Sequence, residues 1–525
     1  MHQVLNISEI LAIIFETLEN PELLACALTC KAWHDLALNE LWYEINDLSK
    51  LFKLLGEMGL DYVDSFQDSL DALDSGSRSE RMDDTKPVYN FSPSSDALRW
   101  ERFELYAHKV KELHHLDFEL PHTISDKVFK AVALKRPSLH ILPKLKLFEW
   151  FSETCLSNGV LFMHPNLATI HLHLDQGLWS GPGDTDSVQS ANDILNEAAD
   201  RLPSMTCLDI SASFFVDEVE SSLVRLLQRA SCLESIVLPR FWMTDSIVTA
   251  LSQLSKLRSF GYVHQELQFH DLRNFNPVIP SGSFRALKEL SLEVSLDQAA
   301  NVLASVATPT SLQDFYLRTT FSPSPSTFYN FLASHVSKLQ FLEFLKIDLF
   351  QTNPEDTNSK DYVISSDDIM PLLLIPSLKG LGIMHHNPLN LSFEFVEQLA
   401  QAFPSLQEVL SLYLDGNLPL PPLDFRYPKF KSIQHIELGH SPLGKDQTKD
   451  VAFFISRLIS PAISDGVNGW VDVVSSPCDD LQVSCLQTDE TRQAVLNYRG
   501  EWGKVDESLR LIQETRILEN PMYLK

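Results

Sequence analysis

The residues best spaced for chemistry lie late in the chain. Gly439-His-Ser-Pro-Leu-Gly444-Lys445-Asp446 nearly spells a phosphate-binding loop, in which backbone amides and a lysine cradle an anion. The loop follows an alternating run, Ile433 to Leu438, and precedes a helical pattern. Asp446, however, stands where a serine or threonine would coordinate magnesium, and its charge repels phosphate. The same loop approaches a nucleophile elbow around Ser441, but the Cβ of Leu443 crowds the turn that needs a second glycine. His171-x-His173 would share one face of a strand and could hold a metal, yet no third ligand accompanies it. His114-His115 and His385-His386 are adjacent pairs, which project to opposite faces of an extended chain. Cys26-x-x-x-Cys30, Cys478 and Cys485 lack paired CxxC spacing, so buried thiols are expected. No cofactor and no metal is expected. A nucleotide-binding enzyme using residues 439–446 stands as the remote alternative.

Charge narrows the partners. Seventy acidic residues against 42 basic ones give −28 over 525 residues. That mean field repels nucleic acid and anionic membrane surfaces and favours basic partners. No basic cluster interleaved with aromatics appears to overcome it. No apolar run approaches the roughly 18–20 residues that span a bilayer. The apolar run Ile10 to Phe15 follows Glu9 and lacks the flanks of a secretory signal. Seven sparse cysteines fit reduced thiols, so a cytoplasmic or nuclear location is expected.

Residues 4–45 stand apart from the elements that follow. They hold 26 apolar residues in 42, about 62%, against 44% for the whole chain. Three short helices are expected. The first runs from about Ser8 to Leu18, with Ser8 as its cap. The second starts at Asn20-Pro21-Glu22, read as cap, first-position proline and first-turn acid. The third carries Trp33, Leu36, Ala37 and Leu41. So short a module cannot hide so much apolar surface, and a neighbour must cover some of it. Residues 56–84 then carry nine acids against Arg78 and Arg81, which predicts an exposed, partly disordered linker. Trp100, Phe103, Ala107 and Val110 recur at helical steps.

Beyond them the chain repeats itself. An apolar-x-x-apolar-x-apolar triplet starts at Leu113, Leu142, Leu167, Met205, Leu233, Leu257, Leu287, Leu312, Leu342, Leu378 and Ile433. Leu406 starts a distorted one that resolves as Leu410-x-Leu412-x-Leu414. The mean step of about 29 residues lies at the top of the leucine-rich-repeat range. Helical stripes lie between many triplets, such as Leu223, Leu226, Leu227 and Ala230. The fold class is therefore α/β: parallel strands and outer helices in an irregular solenoid, with a doubly wound domain as the competing architecture. The asparagine that usually follows the third apolar position is missing almost everywhere, so the turns must be satisfied otherwise. The predicted boundaries are 1–50 for the helical module, 51–95 for the linker, 96–112 for a bridging helix, 113–445 for the repeats and 446–525 for a helical C-terminal cap.

Residues 5–45 resemble the F-box motif. The matching residues run Leu5-x-Ile7-x-Glu9-Ile10-Leu11, Ile14-Phe15-x-x-Leu18, Pro21-x-Leu23-Leu24, Cys26-Ala27-Leu28, Cys30-Lys31-x-Trp33, Leu36, Leu41-Trp42 and Ile45. Asn6 departs from the proline that many members carry. The chain as a whole resembles the F-box, leucine-rich-repeat-like proteins abundant in mushroom-forming fungi, with Trp100 to Val110 as the helix they place ahead of a horseshoe-shaped solenoid. The resemblance implies a non-catalytic substrate receptor of an SCF-type ubiquitin ligase, joined to a cullin through a Skp-type adaptor. It implies that Leu5, Ile7, Ile10, Ile14, Phe15, Pro21, Leu24, Cys30 and Trp33 form or support the adaptor face. An adaptor-bound scaffold without a ubiquitination role is the alternative.

The residues between the apolar strand positions would face the inner side of the solenoid. By that register the acids there are Asp117, Glu119, Asp209, Glu289, Glu293, Asp314, Asp348, Asp415 and Glu437, and the bases are Lys144, Lys146, Arg318 and Lys346. Phe148, Tyr316, Phe344 and Tyr413 intersperse them. Asp209, Glu289, Glu293, Asp314, Tyr316, Phe344 and Asp348 are the expected contacts to a target protein with a basic segment.

Overall fold

The computed structural model describes residues 7–61, 86–92, 98–152, 156–174, 185–212, 214–239, 242–263, 276–306, 311–319, 323–349, 363–385, 389–410, 430, 432–433, 435–437, 448–458, 472–474 and 503–512. The chain divides into two compact units, Met1–Trp242 and Met243–Lys525. No helix among the described residues is long and apolar enough to cross a membrane.

The first unit opens with α1 (Ser8–Phe15), α2 (Asn20–Thr29) and α3 (Lys31–Leu41). β1 (Glu44–Ile45), α4 (Leu48–Phe52), β2 (Met58–Asp61), β3 (Val88–Phe91) and α5 (Trp100–Ala107) follow. Then come β4 (Glu112–Leu116), β5 (Thr123–Ile124), α6 (Asp126–Lys135), β6 (Leu147–Phe151), β7 (Thr169–His173), α7 (Thr185–Arg201), β8 (Cys207–Ser211), α8 (Glu220–Arg229) and β9 (Ser235–Pro239). Its main sheet is parallel, in the order β1-β4-β6-β7-β8-β9.

The second unit contains α9 (Asp245–Ser252), β10 (Ser259–Val263), β11 (Glu289–Glu293), α10 (Leu296–Ser305), β12 (Asp314–Thr319) and α11 (Pro325–Ser334). They lead to β13 (Phe344–Leu349), α12 (Ser366–Ile369), β14 (Gly380–His385), α13 (Phe393–Ala402), β15 (Glu408–Leu410), β16 (His435–Glu437), α14 (Thr448–Leu458) and β17 (Asp472–Val474). Strands β10 to β17 pair in parallel, each with the next. Neither unit's parallel sheet reverses its strand order, as a doubly wound sheet must.

Alternation explains the layers. Ile170, Leu172, Leu208, Ile210, Leu290, Leu292, Leu345 and Ile347 are buried, while the residue before each is half-buried or exposed. The same turn precedes strand after strand. Leu145, Leu167, Met205, Leu233, Leu257, Leu287, Leu342, Leu378 and Leu406 each donate their amide to the carbonyl three residues back. A second regularity fixes register: the Lys146, Ala168, Thr206, Lys288, Gln313, Glu343 and Lys379 carbonyls each accept two successive amides of the following strand's entry. Helix entries are closed by hydroxyls instead of asparagine. Ser125, Thr244, Ser295, Ser324 and Ser392 accept from the first turns of α6, α9, α10, α11 and α13.

Several expectations need correction. The first two triplets begin three residues off: the buried set is Val110, Leu113 and His115, then Leu145, Phe148 and Trp150. His115 occupies a core position because Asp117, equally buried, lies 3.0 Å from its Nε2. Phe148 and Asp117 therefore belong to the core and not to the open face. The Leu406 repeat is not distorted at its start, for β15 begins at Glu408 and pairs with β14 in ordinary register. Leu410 ends that strand, and residues 411–414 lie outside the described residues.

The segment 51–95 is not linker at its ends. Leu51, Phe52 and Leu55 are fully buried, and β2 pairs antiparallel with β3, which pairs parallel with β5. Residues 62–85 lie outside the described residues. At the other end, the alternating run Trp470 to Val474 predicts a last strand, and β17 extends the second unit's sheet there.

Candidate functional site

Three short helices build the candidate site, and each has two faces. On α1, Leu11 and Phe15 are buried, and Leu18 just beyond packs with them. On α2, Leu23 and Ala27 are buried; on α3, Ala37. Trp33 packs against this cluster, its ring 5.9 Å from that of Phe15 in an edge-on contact.

The remaining apolar side chains face outward. Ile7 is 44% exposed, Ile13 63% and Ile14 38% on one side of α1, and Leu24 is 50% and Leu28 78% exposed on one side of α2. Ile10, Ile13 and Ile14 stand at steps of three and four, as do Pro21, Leu24 and Leu28. Two apolar stripes thus lie outside a core that is already closed. Covering one such side chain fully is worth roughly 1.5–3 kcal/mol before the costs of association.

The caps differ in detail from the expected ones. Ser8 is the first helical residue and its hydroxyl donates to Glu9 at 2.9 Å, with no side-chain cap on α1. α2 is capped one residue earlier than expected: Glu19 and Glu22 form a reciprocal capping box, and Asn20 already lies in the helix.

A joint ties the module to the sheet. β1 pairs with β4, Glu44 with Glu112 and Ile45 with Leu113. The amides of Lys111 and Glu112 both donate to the Tyr43 carbonyl. The Trp42 and Tyr106 rings meet at 4.7 Å, Lys109 Nζ donates to Asn39 Oδ1 at 2.6 Å, and Lys111 Nζ lies 4.8 Å from the Tyr43 ring centre. A cavity of about 450 Å³ opens beside the joint, lined by Leu18, Leu23, Glu40, Leu41 and Tyr43 among others. Burial, with the charge of Glu16, pushes the Glu40 carboxyl up despite Lys111.

Residues 8–47 match the F-box-like family model. No curated protein matches the chain. F-box domains bind Skp-type adaptors, and F-box proteins are generally non-catalytic substrate receptors. Of the residues expected on the adaptor face, Ile7, Ile14, Pro21 and Leu24 of this F-box-like module are exposed, and Ile10, Cys30 and Trp33 are half-buried. Phe15 is core and supports the face only from beneath. Leu5 lies outside the described residues. Sequence reasoning left out Ile13 and Leu28, the two most exposed apolar side chains of the module. Both stand in helical step with chosen residues, and that spacing was the available signal.

On the sheets, the expected target contacts divide. Glu289 is exposed, and Asp209, Asp314, Tyr316 and Phe344 are half-buried. Glu293 and Asp348 are buried, and the Tyr316 hydroxyl donates to Asp348. Burial, joined by the charge of Asp348, pushes the Tyr316 phenol far up, so it stays a neutral donor. Asp415 and Tyr413 lie outside the described residues, as does the loop 439–446 with its phosphate-binding and elbow spacings.

The His114-His115 pair resolves as side-by-side opposites, while His386 of the other pair lies outside the described residues. His115 is buried, whereas His114 reaches the open face, where its Nδ1 meets Glu149 at 2.6 Å. The other oxygen of Glu149 meets His173 Nε2 at 3.2 Å, and His173 Nδ1 meets the Ser211 hydroxyl at 2.7 Å. Burial works to raise the Glu149 carboxyl, but the bonds from His114 and His173 hold it below its ordinary range. Burial works to lower His114, but Glu149 and the charge of Glu44 raise it overall. Asp209 is pushed up by burial, against His171 and His173. No group of three or more His, Cys, Asp or Glu among the described residues is placed to hold a metal ion.

Proposed function

We propose that this chain is the target-recognising subunit of an SCF-type ubiquitin ligase. The outward apolar stripes on α1 and α2 carry the reading: a module with a closed core keeps Ile13, Ile14, Leu24 and Leu28 exposed, as a surface awaiting a subunit does. A Skp-type adaptor covers them and connects to a cullin. The repeated strand–helix units form a leucine-rich-repeat-like solenoid of the kind seen in fungal F-box proteins, and its open strand face holds a target protein with a basic segment. The protein itself performs no chemistry; it raises the local concentration of target lysines near the transfer machinery.

Co-expression with a Skp-type adaptor tests the proposal. The full chain is expected to co-purify with it in a stoichiometric complex, and Leu28→Asp with Ile13→Asp is expected to abolish capture while leaving the melting temperature unchanged. Undiminished capture by that double variant would refute the placement of the face. Cullin recruited to the complex, together with a protein that accumulates when this chain is deleted, separates a ligase receptor from a scaffold.

A further inference from the structure

The open face of the second unit's sheet is uneven in a way that the repeat alone does not require. Parallel register sets Glu289, Asp314, Phe344, Gly380 and Glu408 side by side on β11 to β15. Three of these five are acids and none is basic. Adjacent strands lie roughly 4.8 Å apart, so each group is within side-chain reach of the next. The row beyond holds Ser291, Tyr316, Lys346, Gly382 and Leu410.

β14 places glycines, Gly380 and Gly382, in these two rows, and both are buried. A Cβ on Gly380 would collide with the Phe344 ring, which shows the ring folded down over the glycine. Phe344 is thereby a flat, half-exposed apolar platform between Asp314 on one side and Glu408 beyond the glycine. Lys346, in the next row, places its Nζ 5.5 Å from the Tyr316 ring centre, so an aromatic of this same face already receives a cation.

Local acids exceed local bases. Lys379 Nζ is taken by Glu343 at 2.6 Å, and among the described residues Glu289 accepts only the neutral Ser259 hydroxyl at 2.8 Å. Asp314 has no side-chain hydrogen bond or ion pair among the described residues. Burial, with the charges of Glu289 and Glu343, pushes its carboxyl up against the pull of Lys379. The neighbouring carboxylate charges of Glu289 and Glu343 favour positive charge beside Asp314.

We infer that the Phe344 platform, flanked by Asp314, Glu289 and Glu408, is a docking site for an arginine side chain of a basic protein segment. Arginine fits better than lysine because its planar guanidinium stacks on a flat ring while its edge donors fork toward carboxylates on neighbouring strands. A small ammonium satisfies one carboxylate and leaves the ring face poorly covered.

This inference rests on the reading of the sheet face as the recognition surface and is independent of adaptor binding. Its test is fluorescence anisotropy of the full chain with a labelled nonapeptide of alternating arginine and glycine. The comparison peptides carry citrulline, the neutral isostere, or lysine. The arginine peptide is expected to bind about tenfold more tightly than the citrulline peptide, and more tightly than the lysine peptide. Phe344→Leu and Asp314→Asn are each expected to weaken it about three- to tenfold. Asp297→Asn, on the exposed first turn of α10, removes the same charge elsewhere and is expected to change nothing. Equal binding of arginine and citrulline peptides would overturn the inference, as would unchanged binding in Asp314→Asn. Should Phe344→Leu fail to fold, Asp314→Asn still decides, since its half-exposed side chain supports no contact of the core. Failed adaptor capture with intact, variant-sensitive peptide binding would sink the ligase reading alone; the converse would sink only this one.

Discussion

The F-box-like module and the second unit's sheet face are both surfaces, built on opposite principles. The module shows the solvent apolar side chains in helical stripes. The sheet face shows carboxylates, two aromatics and two glycines set side by side by the register. An apolar stripe gains from burial anywhere a complementary groove exists, so it suits a constant partner. A charged and aromatic row gains only from a ligand of matching charge and shape, so it suits selection among many partners. The difference explains why the first could be named from forty residues while the second needed the register of five strands.

The comparison breaks first at the module's core. Phe15→Ala removes a fully buried ring and its contact with Trp33, and is expected to cost about 3–5 kcal/mol, abolishing adaptor capture and the melting transition of the module together. Leu28→Asp, by contrast, is expected to abolish capture with little loss of stability, since that side chain is 78% exposed. Calorimetry beside co-purification distinguishes the two, and equal destabilisation by both would erase the distinction between core and face.

Smaller effects sharpen the picture of the sheets. Gly380→Ala forces the Phe344 ring off its platform, an overpacking expected to cost about 1–3 kcal/mol and to weaken arginine-peptide binding, read by melting and anisotropy. Ser295→Ala opens the capping box of α10 and is expected to cost about 1 kcal/mol in denaturant titration without touching either binding surface.

The smallest effect is pH-dependent. His114 is raised in the folded protein, so its contribution is present below its ordinary pKa and lost as pH rises through the folded value. Glu149 is lowered, so its contribution is present above its ordinary pKa and lost as pH falls through the folded value. Both are charged only between those two points. Glu149→Gln is therefore expected to lower the melting temperature more at about pH 5.5 than at about pH 8.5. A larger loss at the alkaline end would reverse the assignment.

How far the sequence could be read follows the same division. The helical module was legible because its apolar residues are dense and their steps are helical. Most strands were legible because an anchor such as Leu233 is followed by Ile236 and Leu238, with polar residues between. The first two were misread because their pattern is doubled. Leu142, Leu145 and Leu147 satisfy the spacing as well as Leu145, Phe148 and Trp150 do, and only burial separates them. His115 hid the first strand further, since a histidine in a core position is visible only with Asp117 beside it. β2 and β3 were hidden by distance along the chain, their partners standing some thirty residues apart across an acidic stretch. The arginine platform was half legible: Phe344 and Asp314 were singled out, but Gly380, the glycine that the ring covers, belongs to the next strand.

The joint at β1 has a mechanical consequence. Because the last residues of the three-helix module are themselves the outermost strand of the first unit's sheet, grip and frame share one backbone with no swivel between them. Whatever seats on α1 and α2 is held at a set bearing to that sheet. Inserting a few glycines after Tyr43 would leave the three helices whole and loosen only that bearing.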